Sequence, residues 1–121
     1  MDADARRAAR ERGLMAESWV ADRLGAEGWT LLGRNWRGGG HELDVVVERG
    51  DALRFVEVKA RGPADPAPEE SVGPEKQRRL RLAAEAWLHA RGDARDIAFL
   101  IAMVTLGADE APSVVWYDDA F

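Results

Sequence analysis

The sequence predicts an α/β domain: a mixed β-sheet flanked by helices, in the order α-β-β-β-α-β-β. Three observations lead there. Two segments rich in Ala, Arg, Glu and Leu carry helical spacing, one at the beginning and one past the middle. Between and after them lie short runs of alternating apolar residues punctuated by Gly. The longest apolar run, residues 97–104 (IAFLIAMV), is too short to span a bilayer and fits a buried strand. With 121 residues and no internal repeats, the chain is expected to fold as a single domain over 1–121 around one modest core.

Each element has its own signature. Residues 3–27 read as a helix, interrupted or bent near Gly13 and ended by Gly28, with Leu14, Glu17, Val20, Ala21 and Leu24 on one stripe. A strand over 29–36 leads into a Gly38-Gly39-Gly40 turn. Residues 42–49 and 52–61 form a hairpin across Gly50-Asp51, where Gly at the first central position suits a type II′ turn. Residues 62–74 hold four of the five prolines and several acids, and read as a mobile loop inside the domain. Pro74 opens a second helix that runs to Arg91 and stops at Gly92. Strands over 96–106 and 113–118 close the order.

Composition narrows the function. There is no cysteine, so a disulfide framework and thiolate metal sites are excluded. The opening residues, MDADARRAARERG, lack the apolar core of a signal peptide, so a soluble, cytoplasmic protein with no membrane association is expected. A net charge of −5 argues against indiscriminate coating of nucleic acid. Arginines nevertheless cluster at 6–12, at 34–37 and at 78–81, either as solvated helix faces or as a local basic surface.

The hairpin brings charged residues together. With Gly50 and Asp51 as the loop, paired residues sum to 101, which sets Asp44 opposite Glu57, Glu42 opposite Lys59 and Val46 opposite Phe55. Two carboxylates facing each other at roughly 5 Å repel unless something positive lies between them. A hard divalent cation held by carboxylate oxygens answers that need, with Lys59 beside it. The alternative is a wet sheet face where the acids splay apart and Lys59 pairs with one of them. Glu17 on the apolar stripe of the first helix and Lys76 on the same helix face as Leu80, Ala83, Ala84 and Trp87 both point toward the sheet. Glu17 at the stripe's edge and a snorkelling Lys76 would explain them as well. The chain writes arginine fifteen times in its seventeen basic residues, and its two lysines are Lys59 and Lys76.

Asp44, Glu57 and Lys59, preceded by a helical glutamate, resemble the PD-(D/E)xK nuclease superfamily. From about Gly13 to Phe121 the chain is similar to the bacterial YraN-type family, a group of predicted endonucleases similar to archaeal Holliday-junction resolvases. The shared stretches are Gly13 with Glu17, RNWR (34–37), HELDVVV (41–47), FVEVKAR (55–61), Lys76 with Leu80, and the closing DAF. His41, Leu43 and ARD (94–96) depart from the family's usual residues without removing a charged member of the site.

The resemblance implies a restriction-endonuclease-like fold and metal-dependent cleavage of DNA, on branched or junction substrates, with a two-fold homodimer if junctions are cut. Asp44, Glu57, the Val58 carbonyl and Glu17, directly or through water, would hold Mg²⁺ or Mn²⁺. Lys59 would orient the attacking water or neutralise developing phosphate charge, a task for which a compact ammonium differs from a planar guanidinium. Lys76 joins Glu17, Asp44, Glu57 and Lys59 as a catalytic candidate. Arg34, Asn35, Arg37 and Arg61 are candidates for gripping DNA, although the first three could equally finish the turn before Gly38. His41 reads either as a ligand or as a structural residue, His89 as compensating a helix dipole, and the tryptophans as core. A non-catalytic nucleic-acid-binding or adaptor module on the same fold is the alternative function.

Overall fold

The structure, a computed structural model, describes residues 2–62, 73–107, 109 and 111–118. The expected loop over 62–74 falls almost wholly outside the described residues, as does the closing DAF. Seven elements follow the expected order: α1 (Ala3–Ala26), β1 (Thr30–Gly38), β2 (His41–Arg49), β3 (Ala52–Arg61), α2 (Pro74–Arg91), β4 (Ile97–Thr105) and β5 (Ser113–Asp118). They build one five-stranded sheet in the order β1-β2-β3-β4-β5. Among the described strands only β3 and β4 pair in parallel, and α2 supplies the crossover connection that such a pair needs. No described helix is long and apolar enough to cross a membrane.

Helix α1 begins at Asp2, whose side chain accepts the Ala5 N–H at 2.7 Å. It runs through Gly13 without interruption and ends at the Glu27 cap, followed by Gly28 at φ 95°. Its buried stripe is Ala16, Val20 and Leu24, at i, i+4 and i+8. The expected stripe was therefore misplaced by part of a turn: Leu14 is 44% exposed, and Glu17 lies on the stripe's flank. Val20 and Leu24 pack with Val45, Val47, Val56, Ala102 and Val104 on one face of the sheet. Helix α2 covers the other face, where Leu80, Ala83, Ala84 and Trp87 meet Leu43, Val46, Phe55 and Ile101. Each large side chain buried this way stabilises by about 1.5–3 kcal/mol, so the two helices hold the sheet from both sides.

The turns follow backbone chemistry. Gly39 and Gly40 have φ of 62° and 81° between the paired Gly38 and His41, as a two-residue I′ turn requires. In the next hairpin only Gly50 is positive (φ 59°), in keeping with the expected II′ turn. Arg95 fastens the loop between α2 and β4, reaching Asp93 at 2.6 Å and Glu48 of β2 at 2.7 Å. Its guanidinium holds the Asp93 carboxyl down at about 2.

One packing contact tests this arrangement. A Cβ at Gly33 of β1 would lie 2.9 Å from the Trp87 ring, which is buried and meets Trp36 edge-on at 5.3 Å between centroids. Gly33→Ala should push Trp87 out of this seat and cost about 1–3 kcal/mol in urea unfolding, with a changed tryptophan emission spectrum. Parental stability would show that β1 and α2 are not packed this closely.

Candidate functional site

The hairpin register holds as far as it is observed: Arg49↔Ala52 through Val45↔Val56 all pair as expected. There the β2–β3 ladder stops. Beyond it, β2 stays with β1 through Trp36↔Leu43, Arg37↔Glu42 and Gly38↔His41. Meanwhile β3 stays with β4 through Glu57↔Ile101 to Arg61↔Thr105. The sheet therefore forks between Asp44 and Glu57, and Glu42 and Lys59 form no cross-strand pair. That corrects the arithmetic beyond Val45.

A second irregularity coincides with the fork. Asn35 has φ 50°, a left-handed conformation that asparagine tolerates better than most residues. The β1–β2 register passes from Arg34↔Val45 to Trp36↔Leu43 with no bridge at Asn35 and Asp44. Alternation breaks there in both strands. Arg34 approaches Glu17 of α1 while Trp36 packs on Trp87 of α2. Across from them, Val45 belongs to the α1-side core and Leu43 to the α2-side core. A uniform stripe of Glu42, Asp44 and Val46 is thus not what the sheet presents. Asp44 sits at a gap in both ladders.

Its carboxylate fills part of the gap. Asp44 Oδ2 accepts the Val58 N–H at 2.9 Å, bridging β2 to β3 where backbone pairing has ended. Glu57, with 9% of its side chain exposed, faces α2, and Lys76 Nζ reaches its Oε1 at 3.4 Å. Burial, and then the Asp44 charge, push the Glu57 carboxyl up to about 7, against the opposing pull of Lys76 and Lys59. Burial raises the Asp44 carboxyl as well, while the Val58 N–H favours its charged form. Lys59 is half-buried on β3, and its charge acts on Glu57.

Glu17 approaches from the opposite face. It hydrogen-bonds Asn35 and lies 3.9 Å from Arg34 Nη2, yet its Oε1 is buried with no hydrogen-bond partner. Burial first, and the Asp44 charge second, raise its carboxyl above the usual range. Glu17 and Lys76 both point toward the sheet as expected, but from opposite faces: Lys76 and Glu57 meet on the α2 side, and Glu17 stands on the α1 side, where it interacts with Asp44.

The remaining candidates separate. Arg34 and Asn35 attend Glu17. Arg37 pairs with Glu42 at 3.4 Å, and Arg61 donates from Nε to Thr105 Oγ1 at 3.0 Å. His41 lines a cleft of about 250 Å³ between the β1–β2 turn and α2, together with Arg37, Glu42, Asp44, Lys76 and Arg79. Arg79 was missed in the sequence, although it stands one helical turn from Lys76. A second cleft, of about 500 Å³, lies on the α1 side and includes Arg10, Glu17, Asn35 and Glu42.

Among the described residues, no three His, Asp or Glu side chains already gather as a cage for a metal ion. The donors present still suit a hard divalent cation. Two desolvated carboxylates repel each other, and a third carboxylate nearby has a buried oxygen without a partner.

Fold and site together define an α/β domain whose forked sheet holds a buried and a partly buried acid beside two lysines. A profile of the group described as "Uncharacterised protein family UPF0102" matches residues 16–104, which span every acid and lysine of the site. The UPF0102 protein of Gloeobacter violaceus is 52% identical over 95 residues, covering 75% of each chain. That of Anaeromyxobacter dehalogenans is 40% identical over 123 residues, covering 99% of this chain and 88% of its own. The relative in Rhodopseudomonas palustris is 44% identical over 103 residues, 81% of this chain and 78% of its own. This chain belongs to the UPF0102 family, the YraN-type group its sequence resembles.

The raised carboxyl of Glu57 predicts a pH dependence. Between its ordinary 4.5 and about 7, the folded protein retains a proton that the unfolded chain has released. Stability without metal should therefore fall as pH rises through that window, by on the order of 3 kcal/mol from this group. Asp44 and Glu17 act in the same direction, whereas Asp93 acts oppositely, below pH 4. Denaturant unfolding in chelator across this range, with Glu57→Gln as the comparison, checks it: the variant should lose most of the slope. Equal slopes would show that Glu57 carries no such proton.

Proposed function

We propose that this protein is a metal-dependent endonuclease that hydrolyses DNA phosphodiester bonds with Mg²⁺ or Mn²⁺ at the fork. One observation carries the reading. A buried glutamate and a partly buried aspartate that repel each other, at a break in two ladders, have beside them both of the chain's lysines. Structural stability alone would favour apolar residues there, since burying charge is costly. The family resemblance points to branched or junction DNA as the substrate and, for junctions, to a homodimer.

In this reading Asp44, Glu57 and the Val58 carbonyl hold the cation, and Glu17 contributes directly or through water. When bound, the cation supplies Lewis acidity toward a phosphoryl oxygen and makes water more acidic. Lys59 orients the attacking water and offsets negative charge developing on the phosphate. Lys76 keeps Glu57 in place and lowers the cost of its ionisation. The water oxygen forms a bond to phosphorus, the bond to the leaving sugar oxygen breaks, and the released proton passes to solvent or the leaving group. Arg34, Asn35, Arg37 and Arg61 are the candidates for steadying the DNA backbone.

The second reading, a non-catalytic nucleic-acid-binding or adaptor module, is favoured by the lack of a ready-made metal cage among the described residues. Calorimetric titration with Mn²⁺ separates the two. Binding that is lost in Asp44→Asn supports the nuclease, and the absence of Asp44-dependent heat supports the adaptor.

Lys59 offers the sharper test. Lys59→Arg preserves charge, so simple surface pairing, which contributes about 0–1 kcal/mol, would leave every assay nearly unchanged. A nuclease that needs a compact ammonium beside the attacking water should keep its fold and Mn²⁺ affinity. Its DNA cleavage should fall at least about tenfold, a barrier increase on the order of 1.4 kcal/mol. Glu57→Gln should lose both metal binding and cleavage. Cleavage by Lys59→Arg at the parental rate would rule out this role for the lysine.

A further inference from the structure

The two clefts beside the fork differ in charge. On the α2 side, Arg37, Lys76 and Arg79 stand against Glu42 and Asp44, with His41 beside them. In this cleft Arg37 is taken by Glu42 and Lys76 by Glu57, so what it offers an anion is chiefly Arg79; on the α1 side, Arg10 lines the wall with Glu17 and Glu42.

We infer that the α2-side cleft seats the phosphate adjoining the one that is cut, with Arg79 as its principal cation and Arg37 and His41 beside it. The proposal rests on the nuclease reading and assigns the direction in which the DNA backbone leaves the fork. Arg79 suits the task because its neighbour is already engaged. Arg78 takes Glu75 through two hydrogen bonds, of 2.7 and 3.3 Å, and leaves Arg79 Nε a longer contact of 3.8 Å to the same carboxylate. The guanidinium, half-exposed on the flank of α2, keeps donors for a phosphate, whose oxygens match its planar fork. Lys76, one turn earlier, is committed to Glu57. The chain thus sets a lysine at the Glu57 carboxyl and an arginine one turn away in the same cleft.

The experiment is DNA binding by fluorescence anisotropy in Ca²⁺ over a salt series, using a labelled four-way junction and a labelled single strand. Wild type is compared with Arg79→Glu, Arg79→Ala, Arg79→Lys and Arg81→Glu, the last on the other flank of the same helix, beside Phe99. Arg79→Glu should raise Kd at least about tenfold and reduce the salt slope by about one, with Arg79→Ala intermediate and Arg79→Lys close to parental. Arg81→Glu should have a small effect, and Mn²⁺ heats should match wild type in all four. Equal losses in Arg79→Glu and Arg81→Glu would overturn the site in favour of bulk charge. Parental affinity in Arg79→Glu, with Mn²⁺ binding still dependent on Asp44, would overturn the subsite and leave the nuclease reading intact. Wild type that binds neither DNA would remove the subsite and the DNA substrate together.

Discussion

The hydrogen bond from Val58 N–H to the Asp44 carboxylate holds together a sheet that has otherwise come apart at that level. On one side of it β2 follows β1, and on the other β3 follows β4. A side chain has taken a place that backbone would normally occupy, and the positions around it become available to something other than a ladder. The left-handed Asn35 makes the same level a crossing point, where neighbouring side chains change the face they occupy. Helices on opposite faces can then bring charged groups to one place, which an unbroken sheet would keep separated by a layer of backbone.

Such a place is costly to fold. Glu57 carries a proton near neutrality because burial and Asp44 both disfavour its charge, and Glu17 has a buried oxygen with no donor. The hydrophobic layers on the two faces, centred on Val20 with Val47 and on Phe55 with Trp87, provide the stability that tolerates this. Arg95 contributes from the far side of the hairpin by fixing Glu48 and Asp93 together.

Much of this was legible from residue order. Turn glycines located both hairpins, and the sum rule across Gly50-Asp51 gave every observed pair of β2 with β3. The acids and lysines stood out because carboxylates at such spacing on a strand demand an explanation. The fork was not legible: Arg34-Asn35-Trp36-Arg37 has no glycine or proline to announce a break, and the left-handed asparagine is one of several conformations its sequence permits. Periodicity extended a regular strand through Asp44 and could not say from which face of the sheet Glu17 would approach. The first helix departs for a related reason, since Leu14 fits the apolar spacing and yet is 44% exposed, on the wall of the α1-side cleft. Arg79 was accessible by counting one turn from Lys76 but was absorbed into a cluster of arginines.

The scarcity of lysine has a chemical consequence of its own. Guanidinium groups are poor nucleophiles, whereas an ammonium that loses its proton becomes an amine open to acyl donors and aldehydes. In this chain every side-chain amine lies at the fork, and Lys76 is 45% exposed. A reagent or cellular metabolite that acylates lysines would scatter over the surface of an ordinary protein. Here, apart from the terminal amine, it has two targets, and acylation of either would cancel a positive charge beside Glu57. The same composition makes the site addressable by amine-directed labels without engineering, with the fifteen arginines left untouched.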